Sequence, residues 1–98
     1  MVSQLDQACL CGTVSGRVQG VGFRYYVVRM ARRIGLSGWV KNNLDGTVSF
    51  EAAGLAADIN ELLEHIRTGP RSSRVDGVQV RWLEPDESTV NDGEFVVR

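Results

Sequence analysis

A glycine-rich stretch, Gly16 to Arg24, separates two segments whose side chains repeat with different periods. Before it, residues 8–15 alternate with the period of two that is typical of a strand, with Leu10, Gly12 and Val14 set against Cys9, Cys11 and Thr13. After it, apolar residues recur at the spacing of a helix, namely Phe23, Val27, Met30 or Ala31, and Ile34. Gly35 is placed to end that helix. The stretch is therefore predicted to connect a first strand to a first helix.

The remaining residues repeat the order of strand, helix and strand. Residues 36–42 read as a short second strand, and Asn43-Leu44-Asp45-Gly46 is a turn that leads into a third strand over residues 47–53. A second helix is predicted from Ile59, Leu62, Leu63 and Ile66, and Gly69-Pro70 follows its end. The fourth strand is predicted from Val78, Val80 and Trp82, and an acidic loop over residues 85–93 precedes the terminal run Phe95-Val96-Val97.

The order βαββαβ predicts an α+β fold, the ferredoxin-like sandwich with an antiparallel sheet and two helices on one face. A helix that connects two strands of one sheet makes a right-handed crossover, so strand two is expected to run parallel to strand one. Both strands then end at the same edge of the sheet. This places the glycine-rich stretch beside Lys41, Asn42 and Asn43.

The glycine-rich stretch is suited to holding an anion. Glycine allows positive φ and lets amide N–H groups converge, and a helix start adds unpaired N–H donors and the positive end of its dipole. The stretch contains no acidic residue, and the guanidinium of Arg24 is able to hold two phosphate oxygens. We therefore predict that the stretch forms a phosphate-binding loop, made of Gly16, Arg17, Val18, Gln19, Gly20, Val21, Gly22 and Phe23. Arg24 and Asn42 are predicted to lie beside the bound phosphate.

Composition limits the classes of function. The 98 residues suffice for one domain, which we assign to residues 8–98 behind a polar N-terminal tail over residues 1–7. Eleven Lys and Arg against twelve Asp and Glu leave a net charge of −1, without the basic excess of a nonspecific nucleic-acid binder. No apolar run approaches a signal or membrane segment, so we expect no membrane partner and a cytoplasmic location.

The cysteines and the histidine indicate neither a disulfide scaffold nor a metal site. Cys9 and Cys11 are two apart in one strand, where they point to the same face and are poorly placed to bridge each other. The one histidine, His65, has no Cys or His at ligand spacing and is expected at the surface. We expect both thiols to take no part in chemistry.

The chain resembles the acylphosphatases over about residues 8 to 98. Gly16 to Arg24 resembles that family's substrate-binding loop, which usually reads glycine, a basic residue, Val-Gln-Gly-Val, a variable residue and Phe-Arg. A second signature resembles, in order and spacing, Gly35-Leu36, Gly38-Trp39-Val40-Lys41-Asn42 and Asp45-Gly46-Thr47-Val48.

The resemblance implies an enzyme that hydrolyses the carboxyl-phosphate anhydride of small acyl phosphates without metal or other cofactor. It implies that Arg24 binds phosphate and that Asn42 places the attacking water. Inorganic phosphate is expected to be a product and a competitive inhibitor, and we expect a monomer. Gly22 stands where many relatives carry a larger side chain, which is expected to soften phosphate affinity.

The residues exclude two other routes to phosphoryl transfer. Residues 16–24 contain no cysteine for a covalent phosphoenzyme, and no Gly-Lys-Ser or Gly-Lys-Thr end for a nucleotide P-loop. Direct attack by water remains, because an acyl phosphate already carries a good leaving group and needs mainly positioning and charge stabilisation. The amide of Asn42 is able to orient water without deprotonating it.

A noncatalytic anion-binding or regulatory module is the alternative function, because ferredoxin-like sheets also serve as ligand sensors and RNA-recognition surfaces. RNA binding is disfavoured, since the predicted third strand offers one ring, Phe50, where stacked bases want two or three. Arg71 and Arg74 flank two serines and resemble a basic patch, for which a solvated loop is the favoured interpretation.

Overall fold

The computed structural model describes residues 3–91 and 93–98 as one five-stranded sheet with two α-helices. The strands and helices, in chain order, are β1 (Gln7–Arg17), α1 (Phe23–Ile34), β2 (Ser37–Asn42), β3 (Val48–Leu55), α2 (Ala56–Thr68), β4 (Arg74–Trp82) and β5 (Phe95–Val97). A short 3-10 helix, Pro85–Glu87, lies between β4 and β5. In this part of the chain, no helix is long and apolar enough to cross a membrane.

The sheet has the strand order β4-β1-β3-β2-β5. β1 and β2 both pair antiparallel with β3, on its two sides, and therefore run parallel to each other as predicted. The terminal run 95–97 adds a fifth strand, which pairs parallel with β2 and makes the sheet mixed. The ferredoxin-like fold is confirmed, with this short parallel strand added at one edge.

The core lies between the helices and one face of the sheet, as the alternation of side chains requires. Val14 of β1, Val48 of β3 and Val40 of β2 are fully buried on that face. They pack in one cluster with apolar side chains of both helices, including Phe23, Val27, Ile59, Leu62 and Ile66. Since β1, β3 and the crossover helix α1 share this core, the connection from β1 to α1 is held at a fixed place beside the sheet.

A bulge at the end of β1 begins that connection. The pairing of β1 with β4 shifts register between Ser15 and Gly16, and Gly16 has a φ of 121°. A side chain on Gly16 would collide with the carbonyl oxygen of Arg74 on β4. Glycine is therefore required here both for its backbone conformation and for close approach of β4.

The polar N-terminal residues, as far as the structure describes them, pack against α2. The backbone N–H groups of Ala56 and Ala57 donate to the carbonyls of Asp6 and Gln4 at 2.9 and 3.0 Å. These two bonds satisfy N–H groups at a helix start that has no side-chain cap. β1 begins at Gln7, and Met1 and Val2 of the assigned tail lie outside the described residues.

Candidate active site

The loop from β1 to α1 depends on two glycines in the left-handed region. Gly20 and Gly22 have φ of 73° and 79°, and a Cβ on either would meet no heavy atom within 4 Å. The requirement for glycine at these positions is therefore one of backbone conformation and not of space. Gly22 occupies the cap position of α1, where no side chain bonds to the first turn.

The start of α1 presents free amide donors. The first intrahelical bond runs from the N–H of Tyr26 to the carbonyl of Gly22, at 3.1 Å. Among the described residues, none of the backbone N–H groups from 20 to 25 donates a hydrogen bond to another protein group. Such N–H groups at a helix start, together with the helix dipole, attract an anion.

Two side chains, one from within the loop and one from outside it, hold the loop in place. The Nε2 of Gln19 donates to the carbonyls of Asn43 and Thr47, at 2.7 and 2.9 Å. The Oγ of Ser72 donates to the carbonyl of Val21, at 2.9 Å. The loop is thus tied both to the turn between β2 and β3 and to the segment before β4.

Asn42 lies at the end of β2 in the same row as Val14. Both residues pair with Val48, from opposite sides of β3, so they are two strand spacings apart, about 10 Å. Residues directly opposite in antiparallel strands point to the same face, so the Asn42 side chain faces the helix layer, as the buried Val14 and Val48 do. The structure therefore places Asn42 at the sheet edge where β1 passes into the glycine loop, as the crossover argument predicted.

The side-chain oxygen of Asn42 is buried and has no hydrogen-bond partner. It is the one such side-chain atom among the described residues. An unpaired buried acceptor costs about 1–3 kcal/mol, so a group of this kind calls for a specific explanation. Its position beside the loop makes it an acceptor for a ligand or a water bound there.

Arg24 carries the unpaired positive charge of the site. It lies in the first turn of α1 and is half-buried. The ion pairs among the described residues use Arg67, Arg74 and Arg81, and none involves Arg24. Its guanidinium therefore keeps all its donors for an anion at the helix start.

The turn after Asn42 is braced by its own hydrogen bonds. The Nδ2 of Asn43 donates to the Oγ1 of Thr47 and the Oγ of Ser49, at 2.9 and 2.7 Å. The Oδ1 of Asp45 accepts from the N–H and the hydroxyl of Thr47, at 3.0 and 2.6 Å, and these bonds lower the pKa of Asp45. A turn fixed in this way fixes the strand end that carries Asn42.

Sequence reasoning did not assign these supporting roles. The sequence places Gln19 in the loop without indicating its partner, and it indicates no function for Asn43, Thr47 or Ser72. The spacing of Asp45 and Thr47 around Gly46 is typical of a turn in which the carboxylate accepts from the residue two further on, so the sequence does indicate this bond. The partners of Gln19 lie 24 and 28 positions away and the partner of Ser72 lies 51 positions away. All three are main-chain carbonyls, which local sequence patterns do not reveal.

Comparison with known proteins identifies the family of this site. The acylphosphatase family model matches residues 11–96, which include the loop, Arg24 and Asn42. The chain belongs to the acylphosphatase family. An acylphosphatase from Salinibacter ruber is 48% identical over 69 residues, which cover 70% of this chain and 73% of that protein. One from Chlorobaculum tepidum is 49% identical over 75 residues, covering 76% and 82%.

Solved structures of acylphosphatases have the same fold. The structure of an acylphosphatase from Coxiella burnetii matches with a TM-score of 0.84 and 37% identity, covering 95% of this chain and 94% of that one. The loop and the second signature of this acylphosphatase-family chain therefore lie in the fold that the sequence resemblance implied.

The thiols of this acylphosphatase-family chain lie away from the loop. Cys9 adjoins the core residue Leu10 in β1, so its side chain points to the face of the sheet opposite the helices. Its Sγ lies 3.5 Å from the carboxylate of Glu51 and 3.4 Å from the hydroxyl of Ser88, the two acceptors within reach of its one proton, and burial raises the pKa of the thiol to about 11. The Cys9 thiol is therefore protonated at neutral pH and is not a nucleophile.

Side chains that could bind a metal ion do not cluster in the part of the chain that the structure describes. His65 on α2 is half-buried, which is less exposed than the surface position expected. Residues 3–91 and 93–98 include no group of three or more His, Cys, Asp or Glu side chains placed to hold a metal ion.

Proposed function

We propose that this chain hydrolyses small acyl phosphates to carboxylate and inorganic phosphate by direct attack of a water molecule, without metal or cofactor. The observation that carries the proposal is the unpaired, buried oxygen of Asn42 beside a loop of free amides. Membership of the acylphosphatase family supports the reaction class.

We assign the binding of the phosphate to the loop and Arg24. The amides of residues 20–25 and the guanidinium of Arg24 supply donors and positive charge on one side of the group. The fixed donors stabilise the charge that builds on the phosphoryl oxygens as bonds change. The role of Gly16, Arg17, Val18 and Gln19 is to bring the chain from β1 into this cradle.

We assign the positioning of the attacking water to Asn42. Its Oδ1 accepts a hydrogen bond from the water, and its Nδ2 is able to donate to a phosphate oxygen. The water oxygen forms a bond to phosphorus while the bond from phosphorus to the acyl oxygen breaks, and that electron pair leaves with the carboxylate. The proton of the water passes to a phosphate oxygen. Positioning of this kind replaces a strong base, because the carboxylate is a good leaving group.

The finer assignments follow from the same cradle. Inorganic phosphate is proposed to compete with substrate, since the loop binds the group that the two share. We also propose a monomer in the cytoplasm, on the basis of composition alone.

The test is turnover of acetyl phosphate and benzoyl phosphate by the purified protein, with and without a chelator. We expect a rate that the chelator leaves unchanged and that phosphate inhibits competitively. Loss of activity on chelation with recovery on adding a divalent ion would contradict the metal-free mechanism. Phosphate binding without turnover would identify the anion-binding module instead.

A further inference from the structure

We propose that arginines bordering the loop select acyl phosphates whose acyl part carries a second anionic group, a carboxylate or a phosphate. This inference rests on the proposed function, because it concerns the other end of the same substrate. We call Arg17, Arg71 and Arg74 the arginine rim; all three are exposed.

The rim lies along the loop because the segment before β4 touches the loop at both ends. Ser72 bonds to the carbonyl of Val21, and the backbone of Arg74 approaches Gly16 so closely that a side chain there would collide. The N–H and Oγ of Ser73 both donate to the carbonyl of Pro70, at 2.9 and 2.7 Å. Arg71 is therefore carried on a braced turn at the border of the phosphate site.

The rim keeps an excess of positive charge. Arg17 lies directly opposite Arg74, and like charges at such cross-strand positions are destabilising. Asp76 neutralises the charge of Arg74 but not that of Arg17. Its two carboxylate oxygens accept hydrogen bonds from Arg74 at 2.9 and 3.2 Å, and these bonds raise the pKa of Arg74 and lower that of Asp76. Arg17 and Arg71 form no ion pair within the described residues.

This charge is local, since the whole chain carries a net charge of −1. Arg24 and the free amides already bind the phosphate of the substrate, and Arg71 lies outside the group of donors that they form. A neutral acyl group offers Arg71 no partner. A carboxylate or phosphate on the acyl part offers the bidentate acceptor that a guanidinium binds best.

The experiment compares 4-carboxybenzoyl phosphate with its neutral isostere, 4-carbamoylbenzoyl phosphate, at low ionic strength. We expect kcat/KM to favour the charged substrate by roughly three- to fivefold, the upper part of the range for exposed ion pairs, and the preference to shrink with added salt. The substrate 4-phosphonobenzoyl phosphate distinguishes a phosphate-like group from a carboxylate as the better occupant.

Arg71→Gln is expected to reduce this preference to within about twofold while leaving benzoyl phosphate turnover unchanged, since it removes one exposed ion pair. The matched control is Arg33→Gln, which removes the same charge from an exposed position in the last turn of α1, at the other end of the helix. Equal kcat/KM for the two isosteres in the parent, or an equal loss in Arg33→Gln, would overturn the proposal.

Binding of nonhydrolysable analogues separates this inference from the proposed function. Calorimetry is expected to show tighter binding of 4-carboxybenzylphosphonate than of benzylphosphonate, and the difference is expected to disappear in Arg71→Gln. Equal binding of the two by the parent overturns the rim. A binding preference without any turnover of acyl phosphates supports the rim and overturns the enzyme assignment.

Discussion

Gln19 and Asn43 are joined by a 2.7 Å hydrogen bond from the side-chain amide of the first to the main-chain carbonyl of the second. The same Nε2 also donates to the carbonyl of Thr47, at 2.9 Å. Because Asn43 directly follows Asn42, these bonds join the glycine-rich loop to the strand end that carries the proposed water-placing residue. The Gln19 side chain therefore ties the two halves of the site directly to each other.

Replacing Gln19 by Ala is expected to misplace the loop relative to Asn42. We expect kcat to fall by roughly 10- to 100-fold, as small displacements of catalytic groups do. The free energy of unfolding should fall by about 2 kcal/mol for two lost hydrogen bonds. Steady-state kinetics and urea unfolding measure the two effects. Gln79→Ala, at an exposed position on β4, is the matched control. An unchanged kcat in a destabilised Gln19→Ala would show that Gln19 is only structural.

Arg24→Ala removes the forked charge that we propose binds phosphate and steadies it during bond breaking. Both affinity and rate are expected to fall, the rate by roughly 10³ or more. Arg24→Lys should rescue little, because a point charge does not reproduce bidentate geometry. Turnover and phosphate inhibition are measured for both variants, with circular dichroism to verify folding. Near-parental turnover in the lysine variant would refute the bidentate role.

Asn42→Ala leaves the loop intact and removes the group that we propose places the attacking water. Turnover is expected to drop by roughly 10² or more while the inhibition constant for phosphate stays within a few fold. Since the change also removes an unpaired buried acceptor, stability should not fall. Asn91→Ala, at an exposed position, is the control. If folded Asn42→Ala lost phosphate binding as badly as Arg24→Ala, the division of roles between them would be abandoned.

The buried thiol of Cys9 predicts a pH dependence of stability and none of catalysis. Its pKa rises from the ordinary 9.0 to about 11 on folding, so the folded state holds the proton more tightly. The stability from this protonated thiol is complete below pH 9 and is lost as the pH rises through about 11. Denaturant unfolding at several alkaline pH values should show a shallower decline of the free energy of unfolding in Cys9→Ala than in the parent.

Replacing both Cys9 and Cys11 by serine or alanine should retain most of the turnover. A trapped phosphocysteine would refute the water mechanism.

The helices and strands can be predicted from the sequence because the patterns that indicate them extend over only a few residues. The period of two around Val14 and the period of three to four after Phe23 each follow from which side chains face the core, and the structure confirms both. The short strand Phe95–Val97 was not identified as paired with β2, because three residues carry too little periodicity to name a partner. The site residues Arg24 and Asn42 were predicted from motifs, and their roles stay predictions.

The sequence by itself determined the order of elements, the glycine positions that α1 and its loop require, and the residue types able to bind a phosphate. These follow from backbone conformation and hydrophobic period, which act over a few residues. Only the tertiary structure decided that Gln19 bonds to Asn43, that the oxygen of Asn42 is buried without a partner, and that Arg71 lies on a turn bonded to the loop. Each of these is a contact or a burial between distant segments, and its geometry exists only once the sheet and its crossover helix have packed.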